Sequence, residues 1–153
     1  MNDYGASQQV PAIVTLVEGM TITGHLHVSP GSPRHPGAET PLELLNRREP
    51  FFPLTQDDGP AIFIAKRQVA FVECRTQSEK GDPIRASAAR QIPLEITLAG
   101  GRTLSGVAMS ELPPGRGRAS DFLNADDTFF ELQTQDDLLL INRAQVRVAR
   151  SLR

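Results

Sequence analysis

The sequence predicts a mainly β protein: two tandem small five-stranded, strongly bent barrels, each with a short helical turn. Three observations predict it. Residues 10–72 can be laid over residues 92–149 as an internal repeat, the apolar residues fall in short runs of strand type, and a glycine interrupts the second strand of both copies at a matched position. With a four-residue adjustment in the middle and another adjustment near the end, about fifteen identical positions match in order. Pro11 matches Pro93, Thr15 and Leu16 match Thr97 and Leu98, and Gly19, Thr21 and Gly24 match Gly101, Thr103 and Gly106. Further on, Leu45 and Asn46 match Leu123 and Asn124, Phe51 and Phe52 match Phe129 and Phe130, and Leu54 and Asp58 match Leu132 and Asp136. Ile64 then matches Ile141, and Gln68 and Val69 match Gln145 and Val146. The repeats occupy residues 1–73 and 92–153. Residues 74–91 between them are polar, carry the breaker Gly81-Asp82-Pro83 and show no period, so they read as a linker.

Each copy begins with a hairpin. Residues 12–17 are apolar and β-branched, Glu18-Gly19 turns the chain, and residues 20–28 place Ile22, Leu26 and Val28 on one face. The second copy repeats this in residues 94–99, Gly100-Gly101 and residues 102–109. Glycine inside a strand weakens it, so Gly24 and Gly106 indicate a sharp bend or a close backbone approach. Pro- and Gly-rich loops follow, residues 29–39 and 111–118, and then a helical turn. Thr40, Pro41 and Glu43 have the spacing of a capping box; Ser120-Asp121 is the second copy's start signal, two aligned positions later. Strands at 51–54 with 62–65, and at 129–133 with 138–141, precede a closing strand at 69–72 or 146–149.

Val14-Thr15-Leu16 with Gly19 and Gly24, and later residues 140–146 (Leu-Ile-Asn-Arg-Ala-Gln-Val), resemble the two signature segments of Sm-like (LSm/Hfq-type) barrels. These are a hydrophobic strand with a turn glycine and a bent-strand glycine, and an apolar, polar, basic turn into the closing strand. The resemblance implies Sm-like barrels in both copies and an RNA-binding or ring-forming role. The family's base-contacting Asp-x-hydrophobic-x-Asn element has as its nearest counterparts Glu43-Leu44-Leu45-Asn46 and Asp121-Phe122-Leu123-Asn124, each one residue short.

Sixteen Lys and Arg against 18 Asp and Glu leave a net charge of -2, which removes a global electrostatic case for nucleic acid. One cysteine, Cys74, excludes an intrachain disulfide framework. With no visible export signal or 18-residue apolar run, a cytoplasmic protein is expected. His25 and His27 share a strand face without a third ligand fixed by spacing, so they read as surface histidines, and neither a metal nor a cofactor is expected. No nucleophile motif is present, and the Asp57-Asp58, Asp126-Asp127 and Asp136-Asp137 pairs read as turn residues.

The candidate interface residues are Phe51, Phe52, Phe129 and Phe130, since adjacent strand residues face opposite ways and one of each pair should lie in the core. Asn46 and Asn124 each end a helical turn, either as ligand-facing amides or as C-caps in the left-handed conformation. Arg116, Arg118, Arg143 and Arg147 are candidate phosphate or anion contacts, which makes weak, salt-dependent nucleic-acid binding the alternative to the main expectation. That main expectation is a non-enzymatic interaction or assembly module and a homo-oligomer, because units of about 60 residues bury little apolar surface and have open strand edges. The resemblance to Sm-like rings implies that the copies pair edge to edge through residues 69–72 of one and 129–132 of the other, either as a compact monomer or as a trimer closing a pseudo-sixfold ring.

Overall fold

The structure, a computed structural model, describes residues 8–57, 59–75, 90–110 and 118–152. The linker breaker Gly81-Asp82-Pro83, Asp58 and residues 111–117 of the second Pro/Gly-rich loop, Arg116 among them, lie outside the described residues.

The apolar, β-branched run at the start of each repeat forms a hairpin. In the first, β1 (Gln8–Leu16) pairs antiparallel with β2 (Thr21–Val28), with Ala12 opposite Gly24. After a helical turn α1 (Pro41–Leu45) come β3 (Phe51–Thr55), β4 (Ala61–Ala65), a 3-10 turn over Lys66–Gln68, and β5 (Val69–Arg75). The second repeat runs through the same series: β6 (Arg90–Leu98), β7 (Thr103–Ser110), α2 (Ala119–Leu123), β8 (Phe129–Gln133), β9 (Asp137–Asn142), a 3-10 turn over Arg143–Gln145, and β10 (Val146–Ser151). Leu94 lies opposite Gly106 in the second hairpin. The linker boundaries are narrower than expected, since β5 extends to Arg75 and β6 starts at Arg90.

Both strand glycines have one physical cause. A Cβ on Gly24 would lie 2.7 Å from the Thr55 carbonyl oxygen and 2.8 Å from Leu54 Cγ; on Gly106 it would lie 2.5 Å from the Gln133 carbonyl oxygen and 2.9 Å from Leu132 Cγ. The third strand of each repeat crosses so closely over the second that no side chain fits. Each closing strand carries a register shift as well, at Leu16 against Val69 in one repeat and between Val146 and Val148 in the other, where the ladder bends.

The two helical turns start at matched positions, 41 and 119. Thr40 makes the full capping box, its hydroxyl accepting from the Glu43 N–H while the Glu43 carboxylate accepts from the Thr40 N–H. In α2 the N-cap is Arg118 rather than Ser120: Asp121 accepts from the Arg118 N–H and Nε, both at 3.4 Å. Only the carboxylate half of the box is present, because an arginine side chain has no oxygen to accept from the Asp121 N–H.

All ten strands join one antiparallel sheet in the order β10-β6-β7-β8-β9-β5-β1-β2-β3-β4. The sheet is continuous and open, whereas two tandem five-stranded barrels were expected. The difference arises at β5, whose second edge pairs with β9 of the other repeat, placing Phe71 opposite Ile141, Val72 opposite Leu140 and Cys74 opposite Leu138. Two cores form, and each draws on both repeats. The first gathers Val14, Leu26, Leu45, Phe52 and Val72 with Phe129, Leu138 and Leu140; the second gathers Ile92, Leu94, Phe122, Phe130, Leu132 and Ile141 with Ala70 and Phe71. No helix among the described residues is long and apolar enough to cross a membrane.

Candidate functional site at the junction of the repeats

The best-built polar geometry among the described residues lies where the repeats meet. Asn46 ends α1 with φ -92° and ψ 5°, so it is not in the left-handed conformation expected for a C-cap amide. Its side chain instead reaches the other repeat. Nδ2 donates to the Phe129 carbonyl at 3.1 Å and Oδ1 accepts from the Phe129 N–H at 2.8 Å. Such a two-point bond satisfies both backbone groups of one residue and fixes α1 against β8 in a single register. Asn142, 1% exposed at the end of β9, makes the return contact: Nδ2 donates to the Lys66 and Val69 carbonyls, and Oδ1 accepts from the Ala144 N–H. Gln145 adds a longer contact to the Arg67 carbonyl, 3.4 Å.

Apolar groups fill the space between these amides. Phe129 is 0% exposed and enters the first core, and Phe71 is 1% exposed and enters the second with the Arg102 guanidinium over its ring at 4.9 Å. The expected pairing of residues 69–72 with 129–132 is therefore corrected in its second partner. β8 is already flanked by β7 and β9, so the outward edge belongs to β9. Cys74 lies in this seam, where burial first, and then Glu131 and Glu73, push its thiol up to about 12.

The four phenylalanines occupy three kinds of place. Phe52 and Phe130 are core residues of their own repeats, Phe129 crosses the junction, and Phe51 is 48% exposed. One of each pair was expected outside the core; in the second pair both are buried, because the first repeat covers Phe129. Asn124 remains exposed and bonds back to the Ser120 carbonyl at 2.8 Å.

The basic candidates among the described residues, Arg118, Arg143 and Arg147, each bond to groups close by. The Arg143 Nε and Nη1 donate to the Asp127, Phe122 and Leu123 carbonyls, and its guanidinium stacks over Phe130 at 4.9 Å and Phe122 at 5.7 Å. Burial lowers its pKa against the pull of Asp127 and Asp126. This arginine ties off the end of α2, as Lys66 does for α1 by donating to the Arg47 carbonyl at 2.8 Å. Arg147 is exposed and donates to the Ala144 carbonyl; Arg118 is exposed and paired with Asp121.

His27 departs from the surface position expected of it. It is 9% exposed and hydrogen-bonded to the Thr55 hydroxyl, since β3 folds over this end of β2, and burial, helped by His25, lowers its pKa. His25 is 3.8 Å from Asp57. No group of three or more His, Cys, Asp and Glu gathers as a metal site among the described residues. In the first Pro/Gly-rich loop, Glu43 takes bonds from Ser32 and His35 while Glu39 holds Arg47 at 2.6 and 2.7 Å. Burial works to raise the Glu43 pKa, but the Thr40 N–H, Ser32 and His35 outweigh it and hold it at about 2.

Asn142 and β9 were read from the sequence as part of a signature segment and as a strand, but neither was placed at the junction. A signal was present: Leu138-Leu139-Leu140-Ile141 is a continuous apolar run, the mark of a strand covered on both faces, and its burial is complete from Leu138 to Asn142. No protein-family model, curated protein or solved structure matches the chain.

Proposed function

We propose that the chain is a non-enzymatic interaction and assembly module whose two Sm-like units pair through strand edges. The observation that carries this reading is the junction: a fifth strand, a fourth strand and two amide side chains spend their hydrogen-bonding capacity on joining one unit to the next. The same edges recur at the two ends of the sheet, where among the described residues β4 and β10 are each paired on one side only. An open edge is a surface for adding another strand. The engagement of Arg143 with its own helix and the net charge of -2 favour a protein partner over RNA.

Affinity capture from native cells, with and without RNase, tests the proposal. Expected is a protein partner, or a second copy of the chain, that survives RNase and is lost when β4 or β10 is altered. Material released by RNase alone would count against it and favour the nucleic-acid reading, and a partner retained equally by edge variants would overturn the role of the strand edges.

A further inference from the structure

We infer that the two ends of the sheet recognise each other between copies of this chain, β10 of one copy pairing with β4 of the next, so that the protein associates with itself head to tail. This deepens the assembly reading above and rests on it. The matched positions map β5 onto β10 and β9 onto β4, so the internal β5·β9 junction has a second version whose two halves sit at opposite ends of one sheet.

The exposed side chains follow that mapping. Phe63, 63% exposed, corresponds to Leu140, 0% exposed; Val148, 58% exposed, corresponds to Phe71, 1% exposed. Phe51 and Met20 correspond to Phe129, buried across the junction, and to Arg102, stacked on Phe71. These four are among only six large hydrophobic side chains exposed on the described residues. An apolar surface so concentrated at two edges marks an interaction site. β4 also carries the sequence of a covered strand: Ala61-Ile62-Phe63-Ile64 is as continuous an apolar run as that of β9, yet only Ile64 in it is buried.

Carrying the internal register across sets Val148 opposite Ile64 and Ala149 opposite Phe63 of the next copy. Asn124, the counterpart of Asn46, then leaves its own helix and clasps the Phe51 backbone. One element is missing, because Ala65 stands where the second repeat has Asn142. The contact between copies therefore lacks the two carbonyl bonds that Asn142 makes inside the chain, and it is weaker and concentration-dependent where the internal one is permanent. Each contact joins unlike edges, so successive copies form a ring if the rotation closes and a filament if it does not.

Light scattering of the purified full chain tests this. The wild type is expected to exceed the monomer mass of 16.7 kDa as concentration rises. Phe63→Asp and Val148→Asp change exposed residues, keep the wild-type circular dichroism, and each run as monomers. Mixing the two variants is decisive. Phe63→Asp retains a sound β10 and Val148→Asp a sound β4, so the mixture forms a particle of two chains and stops there. Asn124→Ala should weaken association about 5- to 10-fold, the equivalent of one modest hydrogen bond. A wild type that stays monomeric, variants that keep the wild-type mass, or a mixture that remains monomeric would each overturn self-association. A monomer that still holds an RNase-resistant partner through these edges leaves the assembly reading in place and removes only the second copy as the partner.

Discussion

Phe129 and Phe51 stand at the same position of the two repeats and meet opposite surroundings, one in the core of the neighbouring repeat and the other 48% open to solvent. Asn46 and Asn124 divide the same way, one clasping a backbone 83 residues away and the other bonding within its own helix. Local sequence cannot account for this, since both positions hold the same residue in the same element. What separates them is whether a neighbour lies alongside. In a duplicated chain one copy of each edge finds its partner in cis, and the other copy carries the same chemistry outward.

The largest expected difference follows from that contrast. Phe129→Ala should lower stability by about 3 to 5 kcal/mol, the usual loss for a fully buried phenylalanine. Phe51→Ala should cost about 0.5 kcal/mol or less in denaturant unfolding at concentrations where the protein is monomeric. Equal losses at the two sites would break the comparison.

The glycines test the opposite claim, that inside each unit the repeats are alike. Gly24→Ala and Gly106→Ala should each cost about 1 to 3 kcal/mol, because the added carbon collides with a backbone carbonyl that cannot rotate away. Thermal unfolding of the two variants should show similar shifts. A shift in only one would mean that the crossing of the third strand over the second is essential in one repeat alone.

Asn46→Ala should cost about 1 to 2 kcal/mol by leaving the Phe129 N–H and carbonyl unpaired, whereas Asn124→Ala in the monomer should be close to neutral. Hydrogen exchange at the Phe129 amide sharpens this pair: protection should fall in the Asn46 variant and hold in the Asn124 variant.

The remaining test is read against pH, at Glu43 in the helical turn of the first repeat. Glu43 has a folded pKa of about 2 against an ordinary value of 4.5, so its contribution is full above about pH 4.5 and is lost as pH falls towards 2. Glu43→Gln should flatten the stability profile in that window and leave it unchanged near neutrality relative to its own plateau. An unaltered acid limb would show that the Thr40, Ser32 and His35 bonds do not favour the ionised form.

Much of each unit was legible because local rules set it. The β-branched runs with a two-residue turn form the hairpins, the matched glycines mark the crossing, and Thr40 with Glu43 starts α1. The junction was legible only in part. β5 was expected as one edge, but β9 displaced the anticipated β8, because choosing between two apolar strands requires knowing which already has neighbours on both sides. The role of Asn142 across the junction went unread, since nothing in Ile-Asn-Arg distinguishes an amide facing solvent from one facing two carbonyls. Arg143 illustrates the reverse error. A basic residue beside an exposed turn looks available for phosphate, yet three carbonyls and two aromatic rings already hold it.

The single cysteine gives the seam between the repeats a clock. Cys74 sits opposite Leu138 across the β5·β9 pairing at 2% exposure, with its thiol held far from ionisation while buried. An alkylating reagent meets a normal thiolate only after the seam parts, so the rate of labelling counts seam openings rather than surface encounters. Comparing that rate with the rate of global unfolding asks whether the two repeats ever separate while each stays folded. With Phe129 and Phe71 each lodged in the other's core, the two rates should coincide, and the tandem pair should behave kinetically as one body.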